Sequence, residues 1–323
     1  MTLVVCPNLA IDRMLAAGAV RPGETTRCRE LRTQAGGKGG NVARAMGALG
    51  GAAVLTGFAA GRAGRVIEEL ARDEGLELDV AITGGEARVS TVVLGDDGSV
   101  TRLYELGPEL GPLDERALVD LVGARTAVLG EWAVITGAAP PGVSPGFYGV
   151  LVRAVHGAGY RAMVDAADEQ LTGALAERPH LVKVNLAEAC SAVGRPEAHC
   201  EDEQRASDAQ LVAEGLELCW RLIASGARDA VVTLGAAGAA AVLGGVGRHV
   251  RSAPVRTVSP VGSGDCFAAG LALALGRGDG PDAALRLAAG AAAANATSPY
   301  NGHVDPDLAR ELAAGAFVGP PAT

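Results

Sequence analysis

The stretch Ser259-Pro260-Val261-Gly262-Ser263-Gly264-Asp265-Cys266-Phe267-Ala268-Ala269-Gly270 runs from a turn into an apolar helical pattern and delivers a carboxylate at the join. Small residues at 262–264 let successive backbone N–H groups converge on one point, and a helix N-terminus adds positive potential there, so the segment suits a phosphate or its transition state. Asp265 stands where it could take a proton from an attacking hydroxyl. A plainer reading stays open on these residues alone: Ser263 and Asp265 are both favoured N-cap types, and capping needs no chemistry.

Outward from this stretch, apolar runs at 3–5, 53–57, 133–137, 161–165, 181–184, 230–234 and 239–243 read as strands. They alternate with helical patterns at 41–49, 64–74, 114–123, 145–158, 208–225, 265–275, 281–294 and 307–313. That alternation predicts an α/β fold with a doubly wound, mostly parallel sheet. Two segments break the rhythm. Residues 88–94 and 101–106 flank Gly95-Asp96-Asp97-Gly98-Ser99, a hairpin signal, and 12–31 has no helical pattern of its own. Together they predict a small β lid, from about 12–34 and 86–107, over the strand ends where open α/β sheets bind ligands. Residues 1–323 are expected to form one domain with this lid, and the tail from Gly319 to fray.

Among 28 basic residues only Lys38 and Lys183 are lysines. Where arginine fills nearly every cationic position, a surviving lysine points to a need for a compact charge on a flexible stem. Both lie in motif-like surroundings, Gly36-Gly37-Lys38-Gly39-Gly40-Asn41 and Leu181-Val182-Lys183-Val184-Asn185, with Glu188 three residues beyond Asn185. A net charge of −9 argues against nucleic acid or an anionic membrane as partner. The six cysteines and five histidines show no metal-binding spacing, so reduced, mostly buried thiols are expected. No apolar stretch reaches the ~18 residues of a membrane span and no leader pattern opens the chain, which leads us to expect a cytoplasmic protein.

The glycine loops are not the commoner nucleotide fingerprints. Gly36-Gly37-Lys38-Gly39 lacks the Ser or Thr that follows Gly-Lys in a Walker loop, and Phe267 stands where G-x-G-x-x-G requires glycine. The chain resembles instead the PfkB (ribokinase-like) family of carbohydrate kinases, in order over nearly its whole length. Asn8-Leu9-Ala10-Ile11-Asp12 is similar to the family's Asn-Pro-Ala-x-Asp, and residues 36–44 to its first glycine signature. Gly137-Ala138-Ala139-Pro140-Pro141-Gly142, Lys183-Val184-Asn185-Leu186-Ala187-Glu188 and Thr233-Leu234-Gly235-Ala236-Ala237-Gly238 resemble its next three segments, and Gly-Ser-Gly-Asp at 262–265 its second signature. Leu9 and Val184 replace prolines, Ala138-Ala139 replaces Ser-Leu, and Ala237 replaces a frequent Glu. None of these removes a catalytic group.

The resemblance implies a ribokinase-like three-layer fold with a small β-sheet lid, and ATP-dependent phosphoryl transfer to a sugar hydroxyl. It implies Asp265 as base, with Gly262, Ser263 and Gly264 as the anion hole. Asp12, Gly37, Lys38, Asn41 and Arg88 would bind the sugar, and Lys183, Asn185, Thr233, Gly235, Gly238 and Asn295 the nucleotide. Glu188 and Asn185 would organise Mg²⁺. Asn8 to Asp12, the signature ending in Arg44, and Arg88 resemble 1-phosphofructokinase and tagatose-6-phosphate kinase, so a phosphorylated ketohexose is the expected substrate and a homodimer through the lids the expected assembly. A kinase of an unphosphorylated sugar or nucleoside, and a non-catalytic sugar- or nucleotide-binding regulator, remain as alternatives.

Overall fold

The computed structural model describes residues 1–125, 131–195 and 206–320. In chain order its first half holds β1 (Thr2–Val5), β2 (Ala10–Ala17), β3 (Arg29–Gly36), α1 (Lys38–Ala48), β4 (Ala53–Ala60), α2 (Gly61–Asp73), β5 (Glu77–Thr83), β6 (Arg88–Gly95), β7 (Val100–Tyr104), α3 (Pro112–Gly123), β8 (Trp132–Thr136) and α4 (Phe147–Gly157). The second half holds β9 (Arg161–Asp165), α5 (Asp168–Ala176), β10 (Leu181–Asn185), α6 (Leu186–Ala192), α7 (Asp208–Ala224), β11 (Asp229–Thr233), β12 (Ala239–Leu243), β13 (Val246–Arg251), α8 (Ser263–Gly276), α9 (Pro281–Ala296), α10 (Pro306–Ala314) and β14 (Phe317–Gly319).

Ten strands form the main sheet, in the order β14-β13-β12-β11-β10-β9-β8-β1-β4-β5. The run from β11 to β5 is parallel, and β12, β13 and β14 close one edge antiparallel. The chain moves outward from β1 through β4 to β5, then returns to the other side of β1 at β8. That reversal is a topological switch point, where the crossovers diverge and leave a crevice at the carboxyl ends of the strands.

Successive side chains of a strand face opposite ways, so one strand can serve two cores. Leu3 and Val5 pack with α3 to α7, as do Ile135, Val184 and Val232. Val4, Val134, Leu181 and Val231 face the other way, into a core shared with α1, α2, α8, α9 and α10. Three layers follow, as expected. Small residues set the spacing in the second helical layer: a Cβ added at Gly290 of α9 would lie 2.4 Å from the carbonyl oxygen of Ala309 in α10.

A separate four-stranded sheet runs β3-β2-β6-β7. Its β6–β7 hairpin turns through the Gly95 to Ser99 signal, and β2 lies parallel to β6 with Ala10 opposite Arg88. The strands pick up residues within both stretches read as the lid.

Several elements differ from the sequence reading. Helix α1 begins at Lys38 rather than at 41, so Gly36 ends β3, Gly37 is the N-cap and the rest of the glycine signature is already helical rather than a loop before a helix. β5, β13 and β14 were not anticipated, nor were α5 and α6. α5 opens at Asp168 with φ of 53°, and Thr172 and Gly173 sit mid-helix, so little in its sequence favours a helix. Gly319 is not frayed: it closes β14 opposite His249, while residues 321–323 lie outside the described residues. Cys6, Cys28, Cys219 and Cys266 are free thiols, but Cys190 is disulfide-bonded, against the expectation of reduced cysteines.

Candidate active site

A cleft of about 1120 Å³ lies between the small sheet and the carboxyl ends of the main strands. Its floor is built from helix starts and strand ends. Gly37, Lys38 and Asn41 come from the start of α1, Lys183 and Asn185 from β10, Thr233 from the end of β11, and residues 262–265 from the start of α8. The small sheet contributes Asp12, Arg88, Ser90, Arg102 and Tyr104. Every residue expected to bind or react lines this cleft except Asn295.

Gly262 is the N-cap of α8, in the left-handed region with φ of 84°, and no side chain caps the helix. The capping alternative therefore fails. A Cβ at Gly262 would also lie 2.8 Å from the amide nitrogen of Gly302, so both backbone conformation and space require glycine. The amides of Gly262, Gly264 and Asp265 belong to the turn whose N–H groups have no partner within the helix, which leaves them for an anion. Asn295 stands behind this loop, its Nδ2 donating to the Val261 carbonyl at 2.9 Å and to Ser263 Oγ at 3.1 Å. It braces the loop rather than facing a nucleotide.

Asp265 is 6% exposed and accepts a hydrogen bond from Asn41 Nδ2 at 2.8 Å. Burial pushes its carboxyl up to about 7; Lys38 opposes the rise and Asp165 adds to it. A carboxylate that titrates near neutrality is matched to general-base work. Beside it lies a charge cluster. Lys183 Nζ donates to Asp165 Oδ2 at 2.8 Å, while Lys38 Nζ donates to Asp165 Oδ1 at 3.2 Å and Glu188 Oε1 at 3.3 Å. Burial alone would raise the Asp165 carboxyl, but Lys183 and Lys38 outweigh it and hold the group below its ordinary value. Burial likewise pulls the Lys38 ammonium down, and Asp165, Glu188 and Asp265 together lift it above the usual lysine range. A Cβ at Gly264 would stand 3.2 Å from Lys183 Nζ, which places that ammonium against the amide nest.

On the opposite wall Asp12 is buried, and a Cβ at Gly36 would lie 2.3 Å from its Cγ, so the glycine makes room for the carboxylate. Burial raises the Asp12 carboxyl, against the Gly37 N–H, Arg44 and Arg88. Arg88 opens β6 and donates from Nε and Nη2 to the Asn8 carbonyl at 3.3 and 3.1 Å. Asn185 and Glu188 form a reciprocal capping box on α6, with the Asn185 N–H donating to Glu188 Oε2 at 2.9 Å and the Glu188 N–H to Asn185 Oδ1 at 2.8 Å. Thr233 Oγ1 donates to the Val184 carbonyl at 3.4 Å; Gly235 and Gly238, with φ of 57° and 93°, shape the bend that follows.

Sequence reasoning missed Asp165, which bridges the two lysines, and the part played by Arg44 behind Asn41. An acid ending a core strand was the available signal for the first. For the second, a motif arginine in a helix whose i−3 neighbour is a site asparagine was the hint.

A buried carboxylate, free helix-start amides flanked by an ammonium, and a sheet of polar groups facing both across a cleft are the parts that phosphoryl transfer to a hydroxyl requires. The profile of the pfkB family of carbohydrate kinases matches residues 1–307. The chain belongs to that family. It is 29% identical over 296 residues to the ATP-dependent 6-phosphofructokinase isozyme 2 of Mycobacterium tuberculosis, covering 90% of this chain and 83% of that one. It is 29% identical over 291 residues to the 1-phosphofructokinase of Haloferax volcanii, covering 89% and 88%. Phosphofructokinase-2 from Escherichia coli superposes in its tetrameric inhibited form with a TM-score of 0.85 at 26% identity, over 97% of this chain and 98% of that one. In complex with fructose-6-phosphate it superposes at 0.84 and 25% identity, over 97% of each chain. Among the described residues no helix is long and apolar enough to cross a membrane.

Proposed function

We propose that this chain transfers the γ-phosphoryl group of ATP to a hydroxyl of a phosphorylated ketohexose: fructose 1-phosphate, fructose 6-phosphate or tagatose 6-phosphate. The observation that carries this reading is the meeting of a proton acceptor and an anion cradle at the start of α8, where Asp265 stands on Asn41 and Lys183 Nζ lies against Gly264. The sugar hydroxyl oxygen attacks the γ-phosphorus in line, the bond to the bridging oxygen breaks, ADP departs, and Asp265 accepts the hydroxyl proton. The nest amides and Lys183 stabilise the charge that develops on the transferring group. Asp12, across the cleft, suits sugar hydroxyls, and the Arg88 guanidinium suits a phosphate already on the sugar. Two relatives named as phosphofructokinases and a solved homologue holding fructose-6-phosphate support the phosphosugar class.

Mg²⁺ fits this site in one form only. Among the described residues no three acidic, histidine or cysteine side chains gather into a cage. Glu188 lines the cleft with its side chain 18% exposed, which suits an ion held chiefly through phosphate oxygens and water. Asn185 Oδ1 is engaged by the Glu188 N–H, and both Glu188 oxygens by Lys38 Nζ and the Asn185 N–H, so it is the charge of Glu188, not a free oxygen, that makes it the better suited of the two. When bound, the ion would neutralise charge on the β- and γ-phosphates.

The test is Mg²⁺-dependent ADP release from ATP against the three phosphosugars, fructose, ribose and adenosine. Turnover confined to a phosphosugar is the expected result; turnover only with ribose or adenosine would sink the phosphate-gripping role of Arg88. In the phosphosugar reaction Arg88→Met is expected to raise KM by about 10-fold or more, from the loss of charge-assisted hydrogen bonds, with kcat changed far less.

This reading takes residues 1–323 as one kinase domain with the small sheet as its lid, and pairs two chains through that sheet. Supporting the pairing, Leu103, on the face of β7 away from the cleft, and Leu106 beside the strand are 60% and 78% exposed. Sedimentation equilibrium is expected to give a dimer, converted to monomer by Leu103→Glu; a monomeric wild type would end the idea.

A further inference from the structure

Arg44 lies behind the site and reaches Asp265 only through Asn41. Its side chain is 10% exposed and donates in four directions. Nε reaches Glu74 Oε2 at 2.7 Å, Nη2 the Ala35 carbonyl at 2.6 Å, and Nη1 both the Asn301 carbonyl and Asn41 Oδ1 at 3.3 Å. Glu74 in turn accepts from the Ala35 N–H at 2.8 Å. The arginine thus ties together α1, the residue after α2, the end of β3 and the 301 loop.

An asparagine amide has two ends that differ in chemistry and hardly at all in shape, so packing alone does not choose which faces a neighbour. Here the neighbours choose. A guanidinium has no acceptor, so only Oδ1 can face Arg44; that leaves the NH₂ group for Asp265, whose ionised carboxylate only accepts. The backbone of the loop presses on the same side chain: a Cβ at Gly302 would lie 2.6 Å from Asn41 Cα and 2.9 Å from its Oδ1.

We propose that Arg44 is a positioning residue, which locks the Asn41 amide with its NH₂ toward Asp265 and so sets the ionisation of that carboxylate. Without Arg44 the amide is free to turn its carbonyl oxygen to Asp265, which disfavours the ionised form. The proposal rests on the reading of Asp265 as the base only for its kinetic consequence, and the experiment separates the two.

Other groups also act on Asp265 and must be held constant: Lys38 from α1, Asp165 from β9, Lys183 from β10, Cys266 beside it in α8, Cys6 after β1 and Tyr104 from β7. The perturbation is therefore confined to Arg44 and its carboxylate partner. Arg44→Met combined with Glu74→Gln removes the guanidinium without leaving Glu74 as a buried, unpaired charge.

The primary readout is the ¹³C titration of the Asp265 carboxyl in the free protein, assigned by its loss in Asp265→Asn. The midpoint in the double variant is expected to rise by about one pH unit, the scale of one lost hydrogen bond to a charged group. Introduced into Asn41→Ala, the same pair of changes is expected to leave the midpoint where Asn41→Ala alone puts it, because a residue acting through Asn41 has nothing left to act on. An unchanged midpoint in the double variant would overturn the proposal. So would a full shift in the Asn41→Ala background, which would mean that Arg44 acts by its charge. The acid limb of kcat/KM is expected to move with the titration; if the titration moves and the limb stays, Arg44 keeps its role and Asp265 loses its place as base.

Discussion

Asp265→Asn is expected to lower kcat by about 10²–10⁴-fold while leaving sugar binding largely intact, the scale on which loss of a positioned general base is felt. Asparagine keeps the shape and can still meet Asn41, but cannot accept the hydroxyl proton. In the unaltered protein, activity should fall as the carboxyl protonates, with the acid limb of kcat/KM near its value of about 7. The same substitution should act oppositely on stability. Because burial raises the carboxyl from 3.8 to about 7, its protonated form favours folding, and that contribution is complete below 3.8 and lost as pH rises through about 7. A permanently neutral Asn escapes the loss, so thermal melts above pH 7 should show the variant at least as stable as its parent. A variant with more than a tenth of the original kcat would remove Asp265 from the mechanism.

Asp165→Ala is expected to be the most damaging change to the fold within the site. The carboxylate is fully buried and carries one lysine on each oxygen. Alanine would leave Lys183, 3% exposed, as a buried charge without its counterion. Removal of one member of a buried ion pair costs about 3–5 kcal/mol, which for a chain of this size reads as a fall in Tm of roughly 4–7 °C. The pH dependence has a definite sign. The Asp165 carboxyl is held below its ordinary 3.8, so its contribution is present above that value and lost as pH falls through the depressed one. The variant should accordingly show less acid destabilisation of its own. An unchanged melting temperature at pH 7 would mean that the lysines find other anions and that the cluster is not structural.

How far the sequence could be read follows from the kind of signal each part carries. The main sheet was legible because β1, β8 and β10 are short, apolar and separated by helical patterns, and Gly262 announced itself because only glycine tolerates both its φ of 84° and the crowding at Gly302. Lys38 and Lys183 stood out by rarity. What could not be read was pairing across space. Nothing in the chain says that Asp165, ending β9, sits between lysines 127 and 18 residues away. Nor does a local pattern show that the Asn41 amide is held from behind by Arg44. β5 hid because its outer face is polar and half-exposed, and α6 because seven residues are too few to show a period. Its capping box was written plainly as Asn185-x-x-Glu188, yet the same two residues had drawn the metal assignment, and a cap and a ligand use the same atoms.

The two side-chain amines have one more consequence, for how this protein responds to reagents. Both are engaged by the same carboxylate, and one is almost wholly shielded from solvent. An acylating reagent finds no other lysine in the chain, so side-chain amide formation is confined to the cleft; Lys38, its side chain 36% exposed, is within reach of the reagent, whereas Lys183 reacts only when the cluster opens. With the N-terminal amine and Lys38 set apart, an acyl group located on Lys183 by mass spectrometry records an opening of this one region rather than general wear, and the chain carries its own clock for the excursions that expose its centre.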